Sequence, residues 1–166
     1  MEAKAMTAVQ EIDTDNEDSQ RDKYLTFLVD SGEYGIAIRF VTEIIGLQKI
    51  TEVPDLPAFI KGVINLRGKI IPVMDMRSRF GIAGDNYDDR TCIVVVEIGD
   101  KTIGMVVDRV SEVVDISPAQ IEPPPRSSSR SSRYIQGIGK IDDQIKILLE
   151  VACLLTEEEM DGLEML

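Results

Sequence analysis

"YLTFLVDSGEYGIAIRFVTEII", residues 24–45, alternates apolar and polar side chains at period two, with Ser31-Gly32 placed to turn and Gly35 inside the second run. Alternate side chains of a strand share one face, so the pattern predicts a β-hairpin. The stretch then recurs. Shifted by 69 residues, "CIVVVEIGDKTIGMVVDRVSEVV", residues 92–114, sets Gly104 under Gly35, Val110 under Val41, Glu112 under Glu43, and Val113 and Val114 under Ile44 and Ile45. Pro54 meets Pro123 at the same shift. Beyond it the shift becomes 75: Phe59-Ile60-Lys61-Gly62-Val63 meets Tyr134-Ile135-Gln136-Gly137-Ile138, and Val73-Met74-Asp75 meets Leu148-Leu149-Glu150. The inserted residues fall in "PPPRSSSRSSR", between Pro123 and Tyr134. Residues 24 to about 80 and 91 to about 155 therefore read as two copies of one all-β unit.

Each copy has the size of a small barrel and is marginal alone, so the copies are expected to bury a face against each other. Whether each closes its own barrel or the copies exchange strands is open at this level. Short helical turns are expected after Asp75 in "MRSRFG" and at Ser117-Pro118-Ala119-Gln120, where proline follows a capping serine. Thr156 is a candidate N-cap for an acidic C-terminal helix or tail over residues 156–166. Residues 1–22 are expected to be a disordered acidic leader.

The formal charge of −12 sits in the ends: residues 1–22 hold seven acids and two bases, and residues 156–166 five acids and no base. What lies between is close to neutral and has no overall field to draw in nucleic acid. No apolar run approaches membrane-spanning length, and the N-terminus lacks a signal peptide's basic and apolar regions, so a cytoplasmic protein is expected. Cys92 and Cys153 lie in apolar contexts without metal-ligand spacing and read as buried, reduced thiols. The chain has no histidine, the usual general base, metal ligand and triad member, which weighs against every enzyme class.

Other candidate motifs have plainer readings. "GDNYDD", residues 84–89, offers oxygen ligands but not the spacing of a calcium loop, and reads as a linker between the copies. "GIGK", residues 137–140, lacks the spacing of a phosphate loop and reads as a strand-end turn. "RSSSRSSR", residues 126–133, could bind phosphate or RNA, but without interleaved aromatics it reads as a flexible loop. No metal and no cofactor is expected. Comparing the copies is more informative. Asp75 is matched by Glu150 and Glu43 by Glu112, so acids there serve the fold of both units, whereas Arg67 and Gly68 are replaced by Asp142 and Asp143. Only the first copy can form a Glu43–Arg67 ion pair, and an exposed pair adds little stability. A guanidinium oriented toward a partner surface explains its presence better.

"FIKGVINLRGKIIPVMDMRSRFG" closely resembles the central motif of the bacterial chemotaxis coupling proteins, the CheW family, and "EYGIAIRFVTEI", "IGMVVDRVSEVV" and "YIQGIGKIDDQIKILLEV" fit the same family in the same order over residues 23–155. The resemblance implies two tandem SH3-like five-stranded barrels packed together and no catalysis. It implies a cytoplasmic scaffold, recruited to chemoreceptor arrays at the membrane, that links the receptors' cytoplasmic tips to the regulatory domain of the histidine kinase CheA. It assigns receptor binding to the Glu43–Arg67 pair, to a surface lined by Ile38, Val41 and Ile44, and to Gly62, where added bulk would disturb binding. Cys92, Gly104 and Val113 fall at partner-sensitive positions and are assigned to the kinase face. The acidic ends look like natural termini, which favours a stand-alone chain over a CheW-like module of a larger scaffold. A small nucleic-acid-binding barrel using the arginine-serine loop is the alternative from another class.

Overall fold

The structure is a computed structural model describing residues 21–84, 87–124 and 133–164. Most of the leader, Asp85 and Asn86 of "GDNYDD" and all but Arg133 of "RSSSRSSR" lie outside the described residues. The first copy supplies β1 (Lys23–Val29), β2 (Gly32–Ala37), β3 (Val41–Gly46), β4 (Ile60–Leu66), β5 (Lys69–Asp75) and the short helix α1 (Met76–Arg79). The second supplies β6 (Cys92–Ile98), β7 (Lys101–Val107), β8 (Arg109–Asp115), the two-residue β9 (Ile121–Glu122), β10 (Ile135–Ile141) and β11 (Gln144–Leu149), followed by α2 (Glu157–Glu164).

The pairing settles the question the repeat leaves open, because the copies exchange strands. One sheet runs β8-β1-β2-β11-β10-β9 and the other β3-β6-β7-β5-β4. The β1–β2 hairpin is thus flanked by strands of the second copy, and the β6–β7 hairpin by strands of the first. The same unit is built twice by reciprocal exchange. Even β9, on β10, has a counterpart in the bridge between Thr51 and Val63 on β4.

Exchange creates two parallel junctions. β11 runs beside β2 with Leu148 opposite Gly35, and β5 runs beside β7 with Val73 opposite Gly104. The repeated glycines make these close approaches possible. A Cβ on Gly35 would lie 3.0 Å from Leu148 Cδ2, and one on Gly104 would lie 3.4 Å from Val73 Cγ2 across the junction and 2.8 Å from Ile93 Cγ2 on β6.

Period-two burial then builds three cores. Leu25, Phe27, Val29 and Ile36 from one sheet, with Ile38 from the turn after it, meet Met74, Val94, Val96, Met105 and Val107 from the other in a shared interior. Ile64, Ile71, Val73 and Ile93 fill one unit's own core, and Tyr24, Ile116 and Leu148 fill the other's. Each fully buried aliphatic or Phe side chain contributes roughly 1.5–3 kcal/mol before entropy is charged.

Side-chain caps fix the ends. Asp75, 2% exposed, accepts from the Arg77 N–H at 3.0 Å and from the Tyr87 hydroxyl at 3.0 Å, so it starts α1 and ties down the following segment. Glu150 keeps only the backbone part of that role: its N–H bonds Tyr134 O as that of Asp75 bonds Phe59 O, but its side chain caps nothing. Ser117 and Gln120 form a capping box around the 3-10 turn Pro118–Gln120. Thr156 caps α2 reciprocally with Glu159, which also pairs with Arg79 at 3.1 Å. The Arg79 guanidinium lies 4.2 Å from the Phe59 ring centroid and 5.6 Å from that of Tyr134, so it sits between two positions that the repeat makes equivalent.

Three details differ from the sequence reading. The first hairpin turns at Asp30-Ser31, with Asp30 at φ 55°, and Gly32 already belongs to β2. "GIGK" lies inside β10, where Lys140 pairs with Glu122 on the neighbouring β9 at 2.6 Å. Cys92 is buried as expected, but Cys153 is exposed, because the 3-10 turn Val151–Cys153 directs Val151 inward and the next two residues outward.

One carboxylate, Asp108, ties the copies together, and another, Glu159, ties α2 to the first copy. Burial pushes Asp108 up, but the Arg77 guanidinium at 2.8 and 2.6 Å and the Asp30 N–H at 2.7 Å outweigh it and hold this group below the ordinary carboxylate range. Burial acts the same way on Glu159, where the Thr156 N–H and Arg79 prevail. A depressed folded pKa contributes stability that is full above the unfolded value and lost as pH falls through the folded one. Urea unfolding should therefore show stability falling as pH drops below about 4, with a shallower decline in Asp108→Asn.

Candidate functional site

The β4–β5 turn is Arg67-Gly68, with φ at 52° and 87°. Positive φ at both central residues is the geometry of tight hairpins whose twist matches the strands, and asparagine or glycine is its usual first residue. Arginine there is uncommon for an L-residue with a long side chain. The turn is held by Asn65, whose Oδ1 accepts from the Gly68 N–H at 2.8 Å, and by Arg67 itself. Its Nη1 donates to Glu43 Oε1 at 3.0 Å and its Nη2 to Glu43 Oε2, a two-pronged pair joining the turn to β3. That hydrogen bond, with the charge of Glu43 behind it, raises the Arg67 pKa.

The Arg67 side chain remains 70% exposed and that of Glu43 29%. Screening by water makes such a pair a weak contributor to stability, yet it fixes the direction of a planar cation at the surface. In the second copy Asp142 keeps the positive φ, at 53°, without the cation. The positive φ at the first turn residue is common to both units, whereas the second positive φ, at Gly68, and the oriented guanidinium belong to one.

Around this pair the expected surface is smaller than the sequence suggests. Val41 is half-buried beside it, but Ile38 and Ile44 are 3% and 4% exposed and belong to the shared core. They do not line a surface. Their surface placement is implied by the resemblance alone; the alternation carried on from buried Ile36 puts both on the core face, where the structure has them.

Gly62 stands at the equivalent irregularity in β4, between Ile60 and the regular ladder, with φ 152°. A Cβ there would lie 2.1 Å from Thr51 O, so its first duty is to let the crossing segment at Thr51 approach. Of the three positions assigned to the kinase face, Cys92 and Gly104 are interior and Val113 is half-buried against the shared core. Cys92 and Gly104 can influence a partner only through packing, and of the three only Val113 keeps some exposed surface.

What the surface does present are Leu47, Ile70 and Ile145, the exposed large apolar side chains among the described residues, at 38%, 55% and 59%. Ile70 and Ile145 are equivalent under the 75-residue shift, so the repeat carries a signal for them that the residue-by-residue reading does not use. Ile70 borders a cleft of about 260 Å³ with Pro72, Lys101 and Met160, and Ile145 a shallower one beside Glu33 and Ile147. Neither has the convergent polar groups of a catalytic pocket. No cluster of His, Cys, Asp or Glu among the described residues is arranged to hold a metal ion.

The family model for the CheW-like domain matches residues 23–159. The chain belongs to the CheW family. It is 39% identical over 139 residues to the chemotaxis protein CheW of Klebsiella aerogenes, covering 83% of this chain and 84% of that one. It is 31% identical over 136 residues to CheW of Helicobacter pylori, with 82% of each covered. The crystal structure of the scaffolding protein TtCheW from Thermoanaerobacter tengcongensis matches with a TM-score of 0.77 at 38% identity, covering 83% of this chain and 94% of that one. CheW-family proteins act in chemotaxis as coupling scaffolds, and the double β-unit described above is that family's fold.

Proposed function

We propose that this CheW-family chain bridges the cytoplasmic tips of chemoreceptors and the kinase CheA without doing chemistry itself, and that the Glu43–Arg67 corner is its receptor face. The observation that carries this reading is the exposed, oriented guanidinium of Arg67, held on an uncommon left-handed turn in one copy of the unit alone. A helix offering an apolar stripe beside an acidic group fits such a corner, with half-buried Val41 on β3 and exposed Leu47 just past its end as apolar side chains and Arg67 setting the register. Recruitment to receptor arrays follows from that contact, since no helix among the described residues is long and apolar enough to cross a membrane. Co-sedimentation with receptor tip fragments, with and without CheA, tests the bridge. Recovery of all three components together is expected, and recovery of CheA in equal amount without this chain would overturn the reading.

We assign the kinase contact to the exposed ends of the two units rather than to the interior Cys92 and Gly104. Aspartate in place of Ile70 or Ile145 should leave the fold and receptor binding intact while weakening CheA binding about tenfold or more for the end that docks. Titration calorimetry with the isolated regulatory domain reads this directly. Unchanged affinity in both variants would remove the assignment.

A further inference from the structure

A chain made of two copies of one unit faces an ambiguity in folding. The third strand and the last long strand of each copy (β3 and β5, β8 and β11) could pair with the first and second strands of their own copy or with those of the other, and the backbone pattern is the same either way. The observed pairing is the second, and one position distinguishes it. At the β2·β11 junction Lys146, 3% exposed, pairs with Glu33. At the equivalent β5·β7 junction the counterparts are Ile71, 1% exposed, and Thr102. The register places them alike, two residues before Leu148–Gly35 and Val73–Gly104 respectively.

We propose that the Lys146–Glu33 pair selects the exchanged arrangement by making own-copy pairing electrostatically mismatched. In own-copy pairing Lys146 would face Thr102, whose hydroxyl can accept a hydrogen bond but supplies no charge, and Glu33 would face Ile71. A lysine this deeply buried without a carboxylate is costly, whereas the matched pair roughly offsets its own desolvation. The device adds little net stability and acts against the competing fold.

The test uses the full chain refolded from urea, with the amide spectrum of β2 and β11 and the oligomeric state as readouts. In Glu33→Thr with Lys146→Ile the two junctions become alike. This variant should keep a melting temperature near that of the parent but lose the single species, giving a second set of peaks or strand-exchanged dimers. Adding Ile71→Lys and Thr102→Glu moves the pair to the other junction and should restore one set of peaks. A single native monomer from the first variant, refolded in full yield, would overturn the proposal. If that variant does not fold, the reversed pair, Glu33→Lys with Lys146→Glu, decides: one native species is expected, and a mixed or unfolded product would overturn it.

Discussion

Gly62→Val should lower the melting temperature by about 6–12 °C. Two costs combine. The φ of 152° is a conformation that β-branched residues rarely adopt, and the new Cβ would stand 2.1 Å from Thr51 O and 2.8 Å from Thr51 C, which are backbone atoms with no rotamer to move. The segment must shift, and with it the reciprocal bonds between Thr51 and Val63, both 2.9 Å. Together this is about 3 kcal/mol, the range of a strained backbone position. Gly137→Val, at the equivalent place, meets Ile121 Cγ2 at 2.7 Å and Glu122 O at 2.9 Å but without a positive φ, and should cost less. Thermal unfolding of both variants checks the order. Loss of partner binding in Gly62→Val would then reflect movement of the Thr51 segment rather than a lost contact.

Much of this architecture is legible in the sequence because the chain states it twice. The matched glycines mark the parallel junctions, and the matched Phe59 and Tyr134 mark the backbone bonds to Asp75 and Glu150. Caps at Asp75, Ser117 and Thr156 follow from side chains that compete for orphan N–H groups. Strand exchange is not legible from the alternation, since own-copy and exchanged ladders bury the same faces. It shows only where the copies differ, at Lys146 and Glu33. Ile38 and Ile44 are placed at the surface by the resemblance alone, whereas the alternation carried on from Ile36 already puts them in the core they occupy. Arg67 is visible from sequence as a residue its counterpart lacks, but its left-handed turn is a property of the folded hairpin.

That turn underlies the second large effect. Arg67→Asp should weaken receptor binding by on the order of tenfold to a hundredfold, the range of an interfacial arginine anchor, while CheA binding changes little. The substitution sets two carboxylates face to face at Glu43, but the exposed site lets water screen them, so the melting temperature should hold. Asp142 already occupies the equivalent turn at φ 53°, which shows the backbone accepts aspartate there. Reversing both charges, Glu43→Arg with Arg67→Asp, separates two roles. If the pair mattered only to itself, the double variant would recover binding. If Arg67 is the group presented to the receptor, restoring the pair in reverse puts the cation on β3 and leaves binding impaired.

The most direct measurement is a titration of a receptor tip fragment with the parent chain, with Arg67→Asp and with the charge-reversed double variant, each shown to be folded and to bind CheA. Strong binding by the parent, weak binding by Arg67→Asp and incomplete recovery in the double variant are expected. Equal receptor affinity across all three would contradict the receptor role of Arg67.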